Sequence, residues 1–177
     1  MWAIRMGIAV SLLFSTTLFA QEDTWTKVRY SGGMLQTSVD AKDWDNHLEV
    51  TAERITLRLK DGQGIVISTK DVTALSYGQE AGRRIGASGL LVPPVGLVKL
   101  VHKSRDHFIG LEFANHAQKG SLLLQGDKDN YEAILKALAN GTGLPIAVSE
   151  EDRRFVPREA KTVIVPESGE RISASTK

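Results

Sequence analysis

Between residues 47 and 125 the chain is a succession of short alternating segments separated by turn residues, and this constrains the fold more than any other feature. Leu48 and Val50 alternate with polar neighbours, and Ile55, Leu57 and Leu59 alternate with Thr56, Arg58 and Lys60. Ile109, Leu111 and Phe113 share one face of the run 108–113. A period of two puts one face of each segment on a core and the other in polar surroundings, as in antiparallel sheets. The punctuation fits hairpins. Asp61-Gly62-Gln63-Gly64 joins 55–59 to 65–68, Lys70-Asp71 leads into 72–77, and 115–120 joins 108–113 to 121–125. The last of these, Ser121-Leu122-Leu123-Leu124-Gln125, is apolar on both faces, which predicts that both are covered. Upstream, 25–30 reads as a first strand, Ser31-Gly32-Gly33 as a turn, and 34–39 as a weaker returning strand.

One segment carries the helical period clearly. Tyr131, Ile134, Leu135 and Leu138 fall at i, i+3, i+4 and i+7. Asp129 and Glu132 give a D-x-x-E start, with Asp127 as an alternative cap. Asn140-Gly141 supplies a stop, and Pro145 follows. The spacing predicts a helix over 128–139. A helix of ~12 residues is marginal alone, so its stripe must cover a sheet or a barrel mouth. The fold class is therefore α+β, mainly β.

The alternating strand Ile55-Thr56-Leu57-Arg58-Leu59, the ISTKDVTALSYG step over 67–78, the HFIGLEF strand and LLLQGDKDNYEAILKAL entering the helix together resemble a pleckstrin-homology-like domain of the GRAM or bacterial PH type. The chain is also similar to secreted bacterial proteins that share WDN, SYGQE, HFIG and LLLQGDKDNY segments. The resemblance implies a bent antiparallel sheet, or partly open barrel, with one C-terminal capping helix. It further implies a non-enzymatic module that binds lipid headgroups or protein segments. No binding residue of the family carries over by position. The organisation expected is an N-terminal extension at 21–46 with one or two strands, a PH-like domain at 47–147, and a flexible charged tail at 148–177. That tail is rich in charge and proline, with Phe155 and the run 162–165 able to dock on a sheet edge.

Residues 1–20 read as a secretory signal peptide. Arg5 supplies the positive region, 7–19 the apolar region, and Ala20 a small residue before a cut at Gln21. The run is short for a membrane span, which needs ~20 apolar residues. The rival reading is an uncleaved anchor. Export places the protein in the periplasm, the cell envelope or the extracellular space. The chain of 177 residues has no cysteine, so it has no disulfide and no thiolate site. With 22 basic and 21 acidic residues it lacks the basic footprint of a nucleic-acid binder.

One stretch departs from the β pattern. From 83 to 105 the chain holds no acid and is closed by basic residues: Arg83 and Arg84 before, and Lys99, Lys103 and Arg105 after. Between them lie Leu90, Leu91, Val92, Val95 and Leu97, with Pro93-Pro94 forbidding a regular helix through the centre. These ten residues are the candidate contact set for an anionic membrane surface or an envelope protein. Apolar side chains would enter the acyl boundary and cations would meet the headgroups. The competing reading makes 85–101 part of the core, leaving a strand edge or the tail for partners.

Chemical motifs are weak. The four histidines, His47, His102, His107 and His116, form no helical pair and no H-E-x-x-H. Ser88 lies in no nucleophile elbow, because Leu90 takes the last glycine position. Glycines 82, 86 and 89 match no nucleotide-binding spacing. Asp40, Asp43, Asp45 and Asn46 crowd Trp44, but His47 and Leu48 break the calcium-loop spacing, so turn formation is the better reading. No catalytic residue, metal site or cofactor is expected. A small hydrolase or ligand carrier is the remaining alternative, and a pocket with convergent His107, Glu112 and a hydroxyl would support it.

Overall fold

The computed structural model describes residues 23–87 and 106–166. Within them the strands are β1 (Asp23–Gly33), β2 (Asn46–Val50), β3 (Arg54–Arg58), β4 (Gly64–Ser68), β5 (Val72–Tyr77), β6 (His107–Ala114), β7 (Lys119–Gly126), β8 (Ile146–Val148) and β9 (Thr162–Ile164). The α-helices are α1 (Gln79–Ala87) and α2 (Tyr131–Thr142). Among the described residues, nine strands form one sheet in the order β4-β3-β2-β1-β7-β6-β5-β8-β9. Pairing is antiparallel from β4 to β5 and parallel from β5 through β8 to β9.

Two meanders, β1 to β4 and β5 to β7, are joined edge to edge by β1 and β7. This is the bent, open, helix-capped sheet that the alternating pattern and the resemblance led one to expect. Its openness has a concrete cause. A closed barrel would pair β4 with β5, but β8 takes the free edge of β5.

β1 makes the bend. Its first half pairs with β2 and its second half with β7, and each ladder carries a register shift, between Trp25 and Val28 and between Tyr30 and Gly32. Such bulges sharpen the local twist, which lets one strand serve two halves of a sheet. Ser31-Gly32-Gly33 therefore continues the strand instead of turning it. Gly33 has φ +134°, and a Cβ there would lie 2.2 Å from the Ser121 carbonyl oxygen. The glycines permit a close approach to β7, not a reversal. The expected extension at 21–46 thus contains an interior strand of the sheet, between β2 and β7. The returning strand expected at 34–39 is not formed. The following loop ends on Asn46, fully buried, whose amide donates to the Val28 carbonyl at 2.9 Å and accepts from the Lys60 N–H at 3.1 Å.

The inner face of the sheet and the stripe of α2 make the main core, including Leu48, Leu57, Leu75, Ile109, Leu111, Leu122, Leu124, Ile134, Leu135 and Leu138. The helix starts and ends three residues later than its spacing predicts. Asp127 to Asn130 form a turn, with the Asp127 carbonyl accepting from the Asn130 and Tyr131 N–H groups. At the other end the chain runs helically through Asn140-Gly141 and stops at Gly143, which has φ +70° and donates its N–H to the Ala139 carbonyl. Gly143 is the left-handed cap that Gly141 was expected to be.

The outer face of β5, β6 and β7 is covered by α1, a helix placed where the sequence reading had only a connection. Ala81 and Ile85 pack with Phe108 and Leu123 in a separate small cluster. This explains the two apolar faces of β7: Leu122 and Leu124 turn inward, and Leu123 lies under α1.

The segment expected to be a flexible tail is built into the fold as far as residue 166. β8 and β9 extend the sheet beyond β5, and Val156 is buried in the main core. Charge density misleads here because Val148 and Val156 are placed inward, although Val163 and Ile164 on β9 stay exposed.

Candidate functional site

Of the ten residues proposed for contact, Arg83 and Arg84 lie on α1. Leu90, Leu91, Val92, Val95, Leu97, Lys99, Lys103 and Arg105 lie outside the described residues. The structure does define how this stretch is rooted. Tyr77 on β5 is paired directly with Ile109 on β6, so these neighbouring antiparallel strands need only a tight turn between them. Instead the chain inserts residues 78–108.

The first part of that insertion is pinned to the sheet. Gly78 turns the chain at φ +64°, and α1 follows. Ala81 and Ile85, one turn apart, face inward, and Ile85 is fully buried. Gly110 on β6 makes room for the helix, since a Cβ there would lie 2.3 Å from Ser76 Oγ and 3.2 Å from Ala81 Cα.

Charges tie the outer side. Glu80, with a side chain only 6% exposed, accepts from Arg83 Nε at 2.8 Å. Arg84 Nε donates to Glu112 Oε1 on β6 at 2.7 Å. Two arginines and two glutamates therefore neutralise one another. The N-terminal half of the expected cationic rim is a paired cluster that fixes α1 to β6, and the sequence could not show this because Glu112 is distant along the chain.

The other root begins at His107. Its imidazole stacks on Tyr131 with ring centroids 3.5 Å apart, and its Nδ1 is 2.7 Å from the Tyr77 hydroxyl. Phe155 meets it edge-on at 6.4 Å. Burial lowers the His107 pKa against the opposing pull of Asp106, Asp127 and Glu132. Burial raises Tyr77 well above the ordinary phenol value, helped by Tyr131, Asp152 and Glu132. Tyr131, which donates to Glu132 Oε1 at 3.0 Å, is pushed up to about 12 by burial and then by that carboxylate. Both phenols stay protonated near neutrality, so the cluster is a hydrogen-bonded aromatic stack joining β5, β6, α2 and the segment after β8.

His107 does not converge with Glu112. Ile109, Leu111 and Phe113 of β6 point into the main core, whereas Phe108 packs under α1 and Glu112 bonds Arg84 on that side. Strand alternation puts His107 on the first face and Glu112 on the second. The convergence that would support the hydrolase reading is not formed.

Three further features complete the picture. Asp43 and Asp45 both bind Lys60 Nζ, at 3.0 and 2.8 Å, so the acidic loop holds a lysine. Asp43 is held below the usual carboxylate range by the Asp45 N–H and then by Lys60. A groove of about 430 Å³ runs between the β1–β2 end of the sheet and α2, lined by Trp25, Val50, Thr51, Lys136, Ala137 and Asn140. The sequence reading missed it, although Lys136 and Asn140 at i, i+4 sit on one face of the helix. The exposed large apolar side chains among the described residues, Val66, Val163 and Ile164, all lie on the two outermost strands.

No family model matches the chain. No curated protein matches it either. Among solved structures the chain is similar to one described as the structure of the Spt16D Pob3N heterodimer, with 8% identity and a TM-score of 0.43. That likeness covers 74% of this chain and 57% of the other, less than two thirds of its length. The architecture given above rests on strand order and register, not on this likeness.

Proposed function

We propose that the chain is a non-enzymatic, envelope-associated binding module, exported by its first 20 residues, that docks on a membrane surface through the segment 85–105. The observation carrying this reading is the insertion of residues 78–108 between two strands already paired at Tyr77 and Ile109. The sheet does not require it, and its first turns are anchored by Ile85 and two ion pairs. A root packed on the sheet beside an acid-free, leucine- and valine-rich sequence suits a contact element.

The pairing of Arg83 and Arg84 favours a second reading, in which the partner is an apolar patch on an envelope protein. Only Lys99, Lys103 and Arg105 then remain to meet anionic headgroups.

Co-sedimentation of the chain lacking residues 1–20 with phosphatidylglycerol-containing and neutral vesicles tests this. Burying each leucine contributes about 1.5–3 kcal/mol, so Leu90→Asp with Leu91→Asp is expected to reduce vesicle binding by at least roughly a hundredfold while the fold persists. Equal pelleting of both folded proteins refutes membrane docking through this segment. Absence of wild-type binding to either vesicle turns the choice to the protein partner.

A further inference from the structure

The helix that roots the inserted segment is weak by itself. It has nine residues, fewer than an isolated helix needs, and its buried apolar contacts come from Ala81 and Ile85. Ser76 Oγ, against Gly110 where α1 packs, is buried without a hydrogen-bond partner, a cost relieved when water reaches it.

The N-terminus of this helix is capped from far along the chain. Asp152 Oδ2 accepts from the Gln79 N–H at 2.9 Å. Ordinarily the capping side chain belongs to the residue at the helix start, but that position is Gly78, which has none. A Cβ on Gly78 would lie 2.2 Å from Asp152 Oδ2, so the glycine provides the space that the foreign carboxylate fills.

Asp152 is itself positioned. Its N–H bonds to Ser149 Oγ at 3.2 Å, the Arg153 N–H bonds to the Ser149 carbonyl, and the Arg153–Phe155 turn follows. The same turn sets Phe155 against His107, the other root of the insertion, and Val156 is sunk in the main core. One short segment thus touches both ends of the insertion.

We propose that residues 149–156 act as a latch on α1. Asp152 supplies the N-cap that this helix lacks, so whatever displaces the segment after β8 loosens α1. The latch does not depend on the docking reading. It is read out by amide exchange, not by vesicle binding, so either can fail alone.

The test is peptide-resolved hydrogen exchange on the full chain. Asp152→Ala is expected to speed exchange over Gln79–Ala87 by about 2- to 30-fold, the range for loss of a helix N-cap, with Asn46–Val50 and Arg54–Arg58 unchanged. Asp152→Asn retains a capping oxygen and is expected to restore most of the protection. Unchanged exchange over α1 in Asp152→Ala overturns the latch. So does equal acceleration in α1 and in β2 and β3, which would mark general destabilisation.

Discussion

Replacing Ile85 with alanine separates the two cores of this protein. The side chain is fully buried, but in the small outer cluster with Ala81, Phe108 and Leu123, not in the main core beneath the sheet. Ile-to-Ala changes in cores cost about 2–5 kcal/mol. A small cluster at the rim of the sheet can partly collapse, which puts this one near 2–3 kcal/mol. That loss falls on α1, whose other attachments among the described residues include Ala81, the Asp152 cap and ion pairs of partly exposed arginines worth below about 1 kcal/mol each. The free energy of opening α1 should drop by that amount, and exchange over Gln79–Ala87 should rise roughly 30- to 150-fold. Amide exchange with a parallel urea melt is the assay. Ile134→Ala, from the main core, is the reference and should lower global stability by about 2–5 kcal/mol. If Ile85→Ala lowers the global midpoint as much as Ile134→Ala, α1 is not a separable element and the two-core reasoning fails.

Two other outcomes follow from the geometry. The folded-state pKa of His107 lies below its ordinary value of about 6.5, so the unfolded chain binds the extra proton first as pH falls. Its contribution to stability should be constant above that value and decline as pH falls from about 6.5 to the folded pKa. It should show as a difference between the urea-melt pH profiles of wild type and His107→Phe, and coincident slopes would exclude it. Gly33→Ala places a methyl group 2.2 Å from the Ser121 carbonyl oxygen at φ +134°. It should cost more than about 3 kcal/mol, or abolish soluble folded protein, by breaking the β1–β7 joint that unites the two meanders. A Tm within a few degrees of wild type would show that the joint can slip.

Much of the sheet was legible because its signal is local. The period of two marked β3, β5 and β6 to within a residue or so, and the helical stripe identified α2 by its buried face. The boundaries of α2 were not legible. Gly141 and Gly143 are both reasonable stops, and it is Gly143 that takes the left-handed conformation, while Gly141 packs beside Thr51 after β2. β1 was read as peripheral because Gly32-Gly33 carries the local signature of a turn. Only the approach of β7 shows that these glycines serve close packing.

Arg83 and Arg84 show the same limit for the candidate site. As a sequence they begin a cationic rim. In space they meet Glu80 one turn back and Glu112 on another strand, so the charge that a surface would sense is cancelled. The covered edge of β5 was equally hidden. Residues 148–166 read as part of a charged, flexible tail, because the few apolar residues spread along them give no period.

The sequence by itself determined the strand segments, the capping helix, the absence of thiol chemistry and the acid-free run 85–105, since each depends on residue type and near-neighbour spacing. Tertiary structure decided which strand joins the two meanders, that α1 is packed on the sheet, that Asp152 caps it, and that Arg84 is paired with Glu112. Those facts depend on pairings between residues distant along the chain. Local propensity carries no information about such pairings, and only the assembly of the sheet creates them.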